Sequence, residues 1–228
     1  MKPPLEVVRL ATEVQSRLGS LVVPHTAALR GARRQFSREI ATAEPRIVKQ
    51  LALFLLAQKS DLLRFFSYEM ICQHGPTFEG MTTDDLLKLG EGIDSWSSVD
   101  CFAMYLSGPM WKRGAVSDRE VAAWARSEDR WWRRAALVST VALSRRGEPD
   151  DCRRVIRICT LLAADRDDMV VKALSWALRE LAKKRPEDAR AFLADHGHAL
   201  ASRVVREVNN KLATGLKTPR RTNARKTK

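Results

Sequence analysis

Apolar side chains recur every three or four residues along almost the whole chain, which is the spacing of helices with one buried face. Strict alternation of apolar and polar residues, which marks half-buried strands, is nearly absent. The periodic stretches predict helices at residues 5–18, 26–42, 45–57, 60–73, 83–91, 96–107, 117–126, 129–145, 150–164, 168–184, 187–194 and 198–213. The pattern therefore predicts an all-α fold.

Glycine and proline residues mark where the predicted helices should end. The main predicted breaks are Gly75-Pro76, Gly108-Pro109 and Gly147-Glu148-Pro149. Thr82 and Ser117 each offer a side-chain oxygen before acidic residues and an apolar run, which is typical of a helix N-cap. The stretch from about residue 215 onward lacks apolar periodicity, so we predict a helical domain over residues 1–214 and a disordered basic tail over 215–228.

Three segments of the chain resemble one another: 95–104, 129–138 and 167–176. Each opens on a residue suited to cap a helix, and a charged or polar residue follows five places later, before a small residue and an apolar run. Asp100, Arg134 and Lys172 are the equivalent residues, at intervals of 34 and 38 positions. A period of this size predicts stacked antiparallel helix pairs, in a HEAT-like α-solenoid.

Equivalent positions of stacked repeats lie in a row, so this repeat predicts a polar patch across neighbouring helices. Three pairs of residues four apart share a helix face, namely Trp96 with Asp100, Arg130 with Arg134, and Trp176 with Lys172. The patch fits the concave binding face of a solenoid. The alternative is structural, because Asp and Arg at this position also form ladders between repeats and a Trp at helical spacing often belongs to the core.

The positive charge of the chain changes the functional picture. The formal net charge is +13, and six basic groups without an acid lie from residue 217 onward, which leaves +7 for residues 1–216. A basic body favours a polyanionic partner, because binding phosphates releases counterions; the alternative is a charge that serves solubility. Arg30, Arg33, Arg34 and Arg38 form a helical stripe that is either a solvated face or a set of phosphate contacts.

Several classes of protein are not indicated. The chain has no uncharged apolar run of membrane-spanning length, and its N-terminus lacks the apolar core of a signal peptide. The four cysteines include no C-x-x-C pair, the histidines lack metal-ligand spacing, and no glycine-rich phosphate loop or hydrolase motif occurs. We therefore expect a cytoplasmic protein with no metal and no cofactor.

At the repeat residues the sequence resembles the AlkD-like family of DNA alkylation-repair glycosylases, which are HEAT-like repeat proteins. The resemblance is best over residues 93–184. It is carried by three elements, Trp96-Ser97-Ser98-Val99-Asp100, Trp131-Trp132-Arg133-Arg134-Ala135-Ala136-Leu137 and Lys172-Ala173-Leu174-Ser175-Trp176-Ala177-Leu178-Arg179-Glu180. The order of the first and third elements is fairly specific to the family.

The resemblance implies a monofunctional DNA glycosylase of base excision repair that releases alkylated purines from duplex DNA. The catalytic Asp of the family corresponds to Asp100 and its two DNA-facing Trp residues to Trp96 and Trp176. Its phosphate-binding Arg corresponds to Arg134, with Arg133 as the neighbouring alternative. The basic residues expected to contact DNA besides these are Arg130, Lys172, Arg30, Arg33 and Arg34.

The resemblance also implies that the damaged base stays stacked in the duplex. We expect the protein to act as a nucleoid-associated monomer. Two other hypotheses remain open at this point: a non-enzymatic HEAT-like module that binds nucleic acid, and a scaffold that binds other proteins. Asp100 with both tryptophans favours catalysis over the first, and the basic body argues against the second.

Overall fold

A computed structural model describes residues 3–23, 25–145 and 148–219, and these residues form helices joined by turns and loops, with no strand among them. The all-α prediction is thus confirmed for the part of the chain that is described. The helices are α1 Leu5–Gly19, α2 Thr26–Glu39, α3 Pro45–Leu56, α4 Asp61–Gln73, α5 Gly75–Glu79, α6 Thr83–Gly90, α7 Trp96–Phe102, α8 Gly108–Lys112, α9 Asp118–Trp124, α10 Arg130–Ser144, α11 Pro149–Leu161, α12 Asp168–Lys184, α13 Pro186–His196 and α14 Ser202–Thr214. A π-helical segment, Ala103–Ser107, joins α7 to α8.

The chain forms two compact units that divide after Ser117, and in the first unit the helices lie in two layers. Helices α2, α4 and α7 pack side by side, and α1, α3, α5 and α6 form the other layer around α3. Aromatic side chains join the first layer: the ring centroids of Phe36 and Phe66 are 5.6 Å apart, and those of Tyr68 and Phe102 are 5.8 Å apart. These rings are fully buried, and burial of each contributes on the order of 1.5–3 kcal/mol to folding.

The second unit repeats the two-layer arrangement. Helices α10, α12 and α14 are neighbours in one layer, and α9, α11 and α13 pack behind them. Alanines on α10 and α12, among them Ala135, Ala136, Ala173 and Ala177, are buried, and their small side chains allow these two helices to approach closely. The layered pairs fit the predicted repeat, whereas the curved HEAT-like solenoid and the single domain over residues 1–214 stay predictions.

The caps explain where several helices begin. Thr82 forms a capping box with Asp85, as its pattern predicted. Each segment of the predicted repeat also opens on an N-cap. The Ser95, Asp129 and Asp167 side chains accept hydrogen bonds from backbone N–H groups in the first turns of α7, α10 and α12. The three segments therefore start in register, each one residue before its helix.

One of the predicted breaks is confirmed and another is wrong. α4 ends at Gln73, just before Gly75-Pro76, and α5 begins at Gly75, because proline is tolerated in the first turn of a helix, where its missing N–H has no helical partner. At Gly108-Pro109 no break occurs, since the chain stays helical from the π-helical segment into α8. At Pro109 the preceding turn is π-helical, and the Gly108 N–H donates to the Ala103 carbonyl five residues back. In a regular α-helix the proline ring would clash with the carbonyl of Tyr105, and the widened turn relieves that clash. The predicted helix over 96–107 is thus only partly α-helical.

The C-terminal helix begins at Ser202 rather than at residue 198. Gly215, at φ +73°, ends this helix in the left-handed conformation that glycine adopts without strain. After it, the Lys217 carbonyl accepts a hydrogen bond from the Asn210 amide, and the Lys217 ammonium lies 3.5 Å from the Glu207 carboxylate. The start of the segment predicted as a disordered tail therefore folds back on α14, and residues 220–228 of that segment lie outside the described residues.

Candidate functional site

The predicted row of equivalent residues has a simple structural definition. Asp100, Arg134 and Lys172 are each the fifth residue of their own helix, counted from Trp96, Arg130 and Asp168. The fifth residues of the other helices in the same layers are Arg30 on α2, Phe65 on α4 and Arg206 on α14. The repeat therefore extends beyond the three segments that resemble one another in sequence.

In the first unit, Asp100 lies on the accessible face of α7. That face carries adjacent pairs of at least partly exposed residues at every fourth position: Trp96 and Ser97, Asp100 and Cys101, then Met104 and Tyr105 in the π-helical segment. Trp96 is 60% exposed, so it is not a core tryptophan. An exposed indole one turn from a carboxylate is a surface suited to a ligand.

Helix α4 borders this face through its first residue. The Ser97 hydroxyl donates a hydrogen bond to the Asp61 carboxylate across 3.3 Å, and Asp61 is exposed. Further along α4, the ring of Phe65 lies edge-on to that of Tyr105, with centroids 6.2 Å apart. Asp100 therefore shares its surroundings with a second carboxylate and a pair of aromatic rings.

Cys101 follows Asp100 in the chain, and the pKa of its thiol depends on the charges around this face. Burial raises the pKa of its thiol to about 12, and the negative charges of Asp100 and Glu69 add to that rise, while Arg30 opposes it. The thiol is therefore neutral at physiological pH and a poor nucleophile. Arg30 contacts both Glu69 and Tyr105, and Tyr105 follows Asp100 by five residues, so these charges lie on neighbouring helices of the first unit.

The predicted arginine stripe on α2 divides into buried and accessible members. Arg33 is buried, and its Nε donates to the Glu69 carboxylate across 3.2 Å. Arg30 is exposed and donates from Nε to the other oxygen of the same carboxylate across 2.9 Å. Arg34 is exposed and makes no hydrogen bond or ion pair with the described residues. The stripe is thus neither wholly solvated nor wholly available to a ligand.

In the second unit, the two adjacent arginines of α10 join neighbouring helices and loops. Arg134 is only 6% exposed, and its Nη1 donates to the Met169 carbonyl in the first turn of α12 across 2.6 Å. Arg133 donates to the Asp165 carboxylate across 2.7 Å and to two carbonyls of the loop before α10. Both contacts are of the ladder type that the sequence left open as an alternative.

The accessible face of α12 carries Lys172 and Trp176 one turn apart, as their spacing predicted. Lys172 bonds the Asp168 carboxylate across 2.6 Å, and Arg203 of α14 bonds its other oxygen across 2.8 Å. These partners, Lys172 above all, hold the pKa of Asp168 below its usual value. Because two cations share one carboxylate, this cluster has an excess positive charge.

Arg130 and Arg206 complete the cations of this layer. Arg130 is exposed and lies over the Trp131 ring, 4.8 Å from its centroid, with the Asp167 carboxylate 3.5 Å away. Arg206 is exposed and makes no hydrogen bond or ion pair with the described residues. Sequence analysis missed Arg206, although its interval of 34 residues from Lys172 repeats the one between Asp100 and Arg134.

The structure brings Trp96 to Asp100 in the first unit and Trp176 to Lys172 in the second, and places Arg33, Arg133 and Arg134 in buried or bridging contacts. Over residues 3–23, 25–145 and 148–219, no group of three or more His, Cys, Asp or Glu side chains is arranged to hold a metal ion. Within the same residues, no helix has both the length and the apolar character to cross a membrane.

Comparison with known protein families shows to which family this chain belongs. The sequence profile of a family described as DNA alkylation repair enzyme matches residues 24–212, which is most of the chain and covers both units. The chain belongs to the DNA alkylation repair enzyme family, as its repeat motifs indicated. This family is one of DNA-repair enzymes, which implies that the substrate is DNA. A search among curated proteins gives no significant match.

Proposed function

We propose that this protein is a monofunctional DNA glycosylase that hydrolyses the N-glycosidic bond of positively charged alkylated purines, such as 3-methyladenine and 7-methylguanine, in duplex DNA. This reaction begins base excision repair. One observation carries the proposal: in a member of a DNA alkylation repair family, a carboxylate, Asp100, lies one helical turn from Trp96, whose indole is 60% exposed.

The chemistry needs little more than these groups. A purine alkylated at N3 or N7 already carries a positive charge, so the bond between C1′ and the base breaks with its electron pair moving to the base, and no acid is required. Asp100 stabilises the positive charge that develops on the deoxyribose. Trp96 presents an indole face, which also attracts positive charge. Water then adds to C1′ and releases a proton, leaving an abasic site.

The accessible cations would hold the duplex. Lys172, Arg203, Arg206 and Arg34 offer charge for phosphates, and Trp176 offers a second indole beside Lys172. A HEAT-like solenoid would align these residues, and the damaged base would remain stacked rather than turn into a pocket. Arg133 and Arg134 support the repeat in this account, since both are occupied by contacts within the second unit.

The catalytic assignment is tested by Asp100→Asn, which keeps the shape of the side chain and removes its charge. We expect release of 7-methylguanine to fall about a hundred- to thousandfold in single-turnover assays, because a charge of this kind contributes about 3–4 kcal/mol to lowering the barrier. Duplex affinity should stay equal or rise slightly, since DNA is anionic.

Asp84→Asn is the matched control, because Asp84 is an exposed carboxylate on α6, in the other layer of the first unit. It should release base at the parent rate. If Asp100→Asn cleaves as fast as the parent, Asp100 is not the catalytic carboxylate. If the parent binds DNA and releases no base, a non-enzymatic DNA-binding module replaces this proposal.

A further inference from the structure

Arg30 is an exposed arginine whose side chain is fixed by several contacts. Its side chain is 44% exposed, yet Nε donates to Glu69 across 2.9 Å and Nη2 donates to the Tyr105 hydroxyl across 2.8 Å. The guanidinium also lies over the Phe65 ring, 5.8 Å from its centroid. Three contacts, from α4 and from the π-helical segment, therefore fix one solvent-facing cation.

Glu69 does not need Arg30 to balance its charge. The Glu69 side chain is 5% exposed and already binds Arg33, which is itself buried. A buried carboxylate paired with a buried guanidinium is neutral as a pair. Arg30 is the second cation on the same carboxylate, so the three groups together carry a net charge of +1, and that charge is placed at the accessible guanidinium.

Arg30 still has hydrogen-bonding capacity. Nε and one N–H of Nη2 are occupied, and Nη1 makes no hydrogen bond with the described residues. A guanidinium fixed on one side with a free nitrogen on the other loses little entropy when it binds an anion. Phosphate oxygens are strong acceptors for this geometry.

The position of Arg30 near Asp100 indicates what its positive charge does. Arg30 reaches the helical segment that follows Asp100, because its Nη2 donates to the hydroxyl of Tyr105, five residues after Asp100 in the chain. A carboxylate on a DNA-binding face repels the phosphates around its target, and a neighbouring fixed cation offsets that repulsion. Tyr105 lies in the widened turn that follows Asp100 on the same helix, and segments of this type occur often at functional sites.

We propose that Arg30, fixed by Glu69 and Tyr105, binds a backbone phosphate of the DNA strand that passes Asp100, and that Tyr105 is a positioning residue which acts through Arg30. The inference rests on the proposed function only for its partner, duplex DNA. It requires no base release, so it can be tested by binding alone.

The experiment measures affinity for an undamaged duplex between about 50 and 200 mM salt, with melting temperature as the check on folding. Arg30→Ala should lower the log–log salt slope by about 0.9, the value for one phosphate contact on B-DNA. Arg46→Ala is the matched control: Arg46 is an exposed arginine of the first unit on α3, in the other layer, and should leave the slope unchanged. If Arg30→Ala lowers the melting temperature, Arg30→Met replaces it, because methionine keeps an unbranched apolar side chain and removes the charge.

A double-mutant comparison tests the role of Tyr105. Tyr105→Phe should weaken binding about two- to tenfold, the range for one net hydrogen bond, and should have no further effect when Arg30→Ala is already present. Equal weakening in both backgrounds would overturn the positioning role. A slope for Arg30→Ala equal to that of Arg46→Ala would overturn the phosphate contact. If the parent protein binds duplex and releases no base, the proposed glycosylase activity is refuted. The salt slopes alone then decide whether Arg30 contacts a phosphate.

Discussion

The contact between Arg134 and Met169 makes a prediction that separates two roles for this arginine. If Arg134 supports the repeat, Arg134→Ala removes a charge-assisted hydrogen bond of 2.6 Å, which costs about 1.5–3 kcal/mol. Each buried methylene that is lost adds roughly 0.8 kcal/mol. The substitution also removes the desolvation cost of burying a guanidinium, since Arg134 is only 6% exposed, and this offsets part of the loss. We expect a net destabilisation of about 2–4 kcal/mol.

For a chain of this length, roughly 2–4 °C of melting temperature corresponds to 1 kcal/mol, so thermal unfolding should show a shift of about 5–15 °C. The salt slope of duplex binding, measured well below the melting temperature, should be that of the parent. The phosphate role implied by the family resemblance makes the opposite prediction, namely little loss of stability and a slope reduced by about 0.9. That second result would refute the structural interpretation of Arg134.

Two further predictions concern exposed groups. Arg206→Ala and Lys172→Ala should each lower the salt slope by about 0.9, because both side chains are exposed at fifth-residue positions; Arg46→Ala again serves as the control, and unchanged slopes would remove these residues from the interface. Cys101 should react slowly with thiol reagents at pH 8, since its pKa is about 12, and Asp100→Asn should speed that reaction by removing a negative charge that raises the pKa. Modification is read at Cys101 by peptide mass spectrometry, and an unchanged rate in Asp100→Asn would separate the two groups electrostatically.

Local sequence signals account for most of the helices. Apolar periodicity and caps such as Thr82 depend on neighbours within one turn, so they could be recognised without the fold. Gly108-Pro109 was misinterpreted because a Gly-Pro pair that follows the end of a helix, such as Gly75-Pro76, and one inside a continuous helical stretch have the same sequence. Only the π-helical turn before Pro109, which depends on how α7 continues into α8, distinguishes them.

The candidate site was also predictable from the sequence only in part. Asp100 and Lys172 could be identified because their repeats resemble one another, and the pairing of each with a tryptophan follows from helix spacing alone. Glu69 and Tyr105 could not, since they contact Arg30 from 39 and 75 positions away in the chain. The burial of Arg134 has the same origin: its partner, Met169, is 35 residues further on, and no local pattern distinguishes it from an exposed arginine.

The central claim is the chemistry, and product analysis tests it most directly. The protein is incubated in excess with duplex DNA that contains 7-methylguanine, and the released small molecules and the strand are examined by mass spectrometry. The account predicts free 7-methylguanine and an intact phosphodiester backbone with an abasic site, which breaks only on later alkaline treatment. Recovery of unmodified guanine in the strand, transfer of the methyl group to the protein, or direct strand cleavage would contradict it.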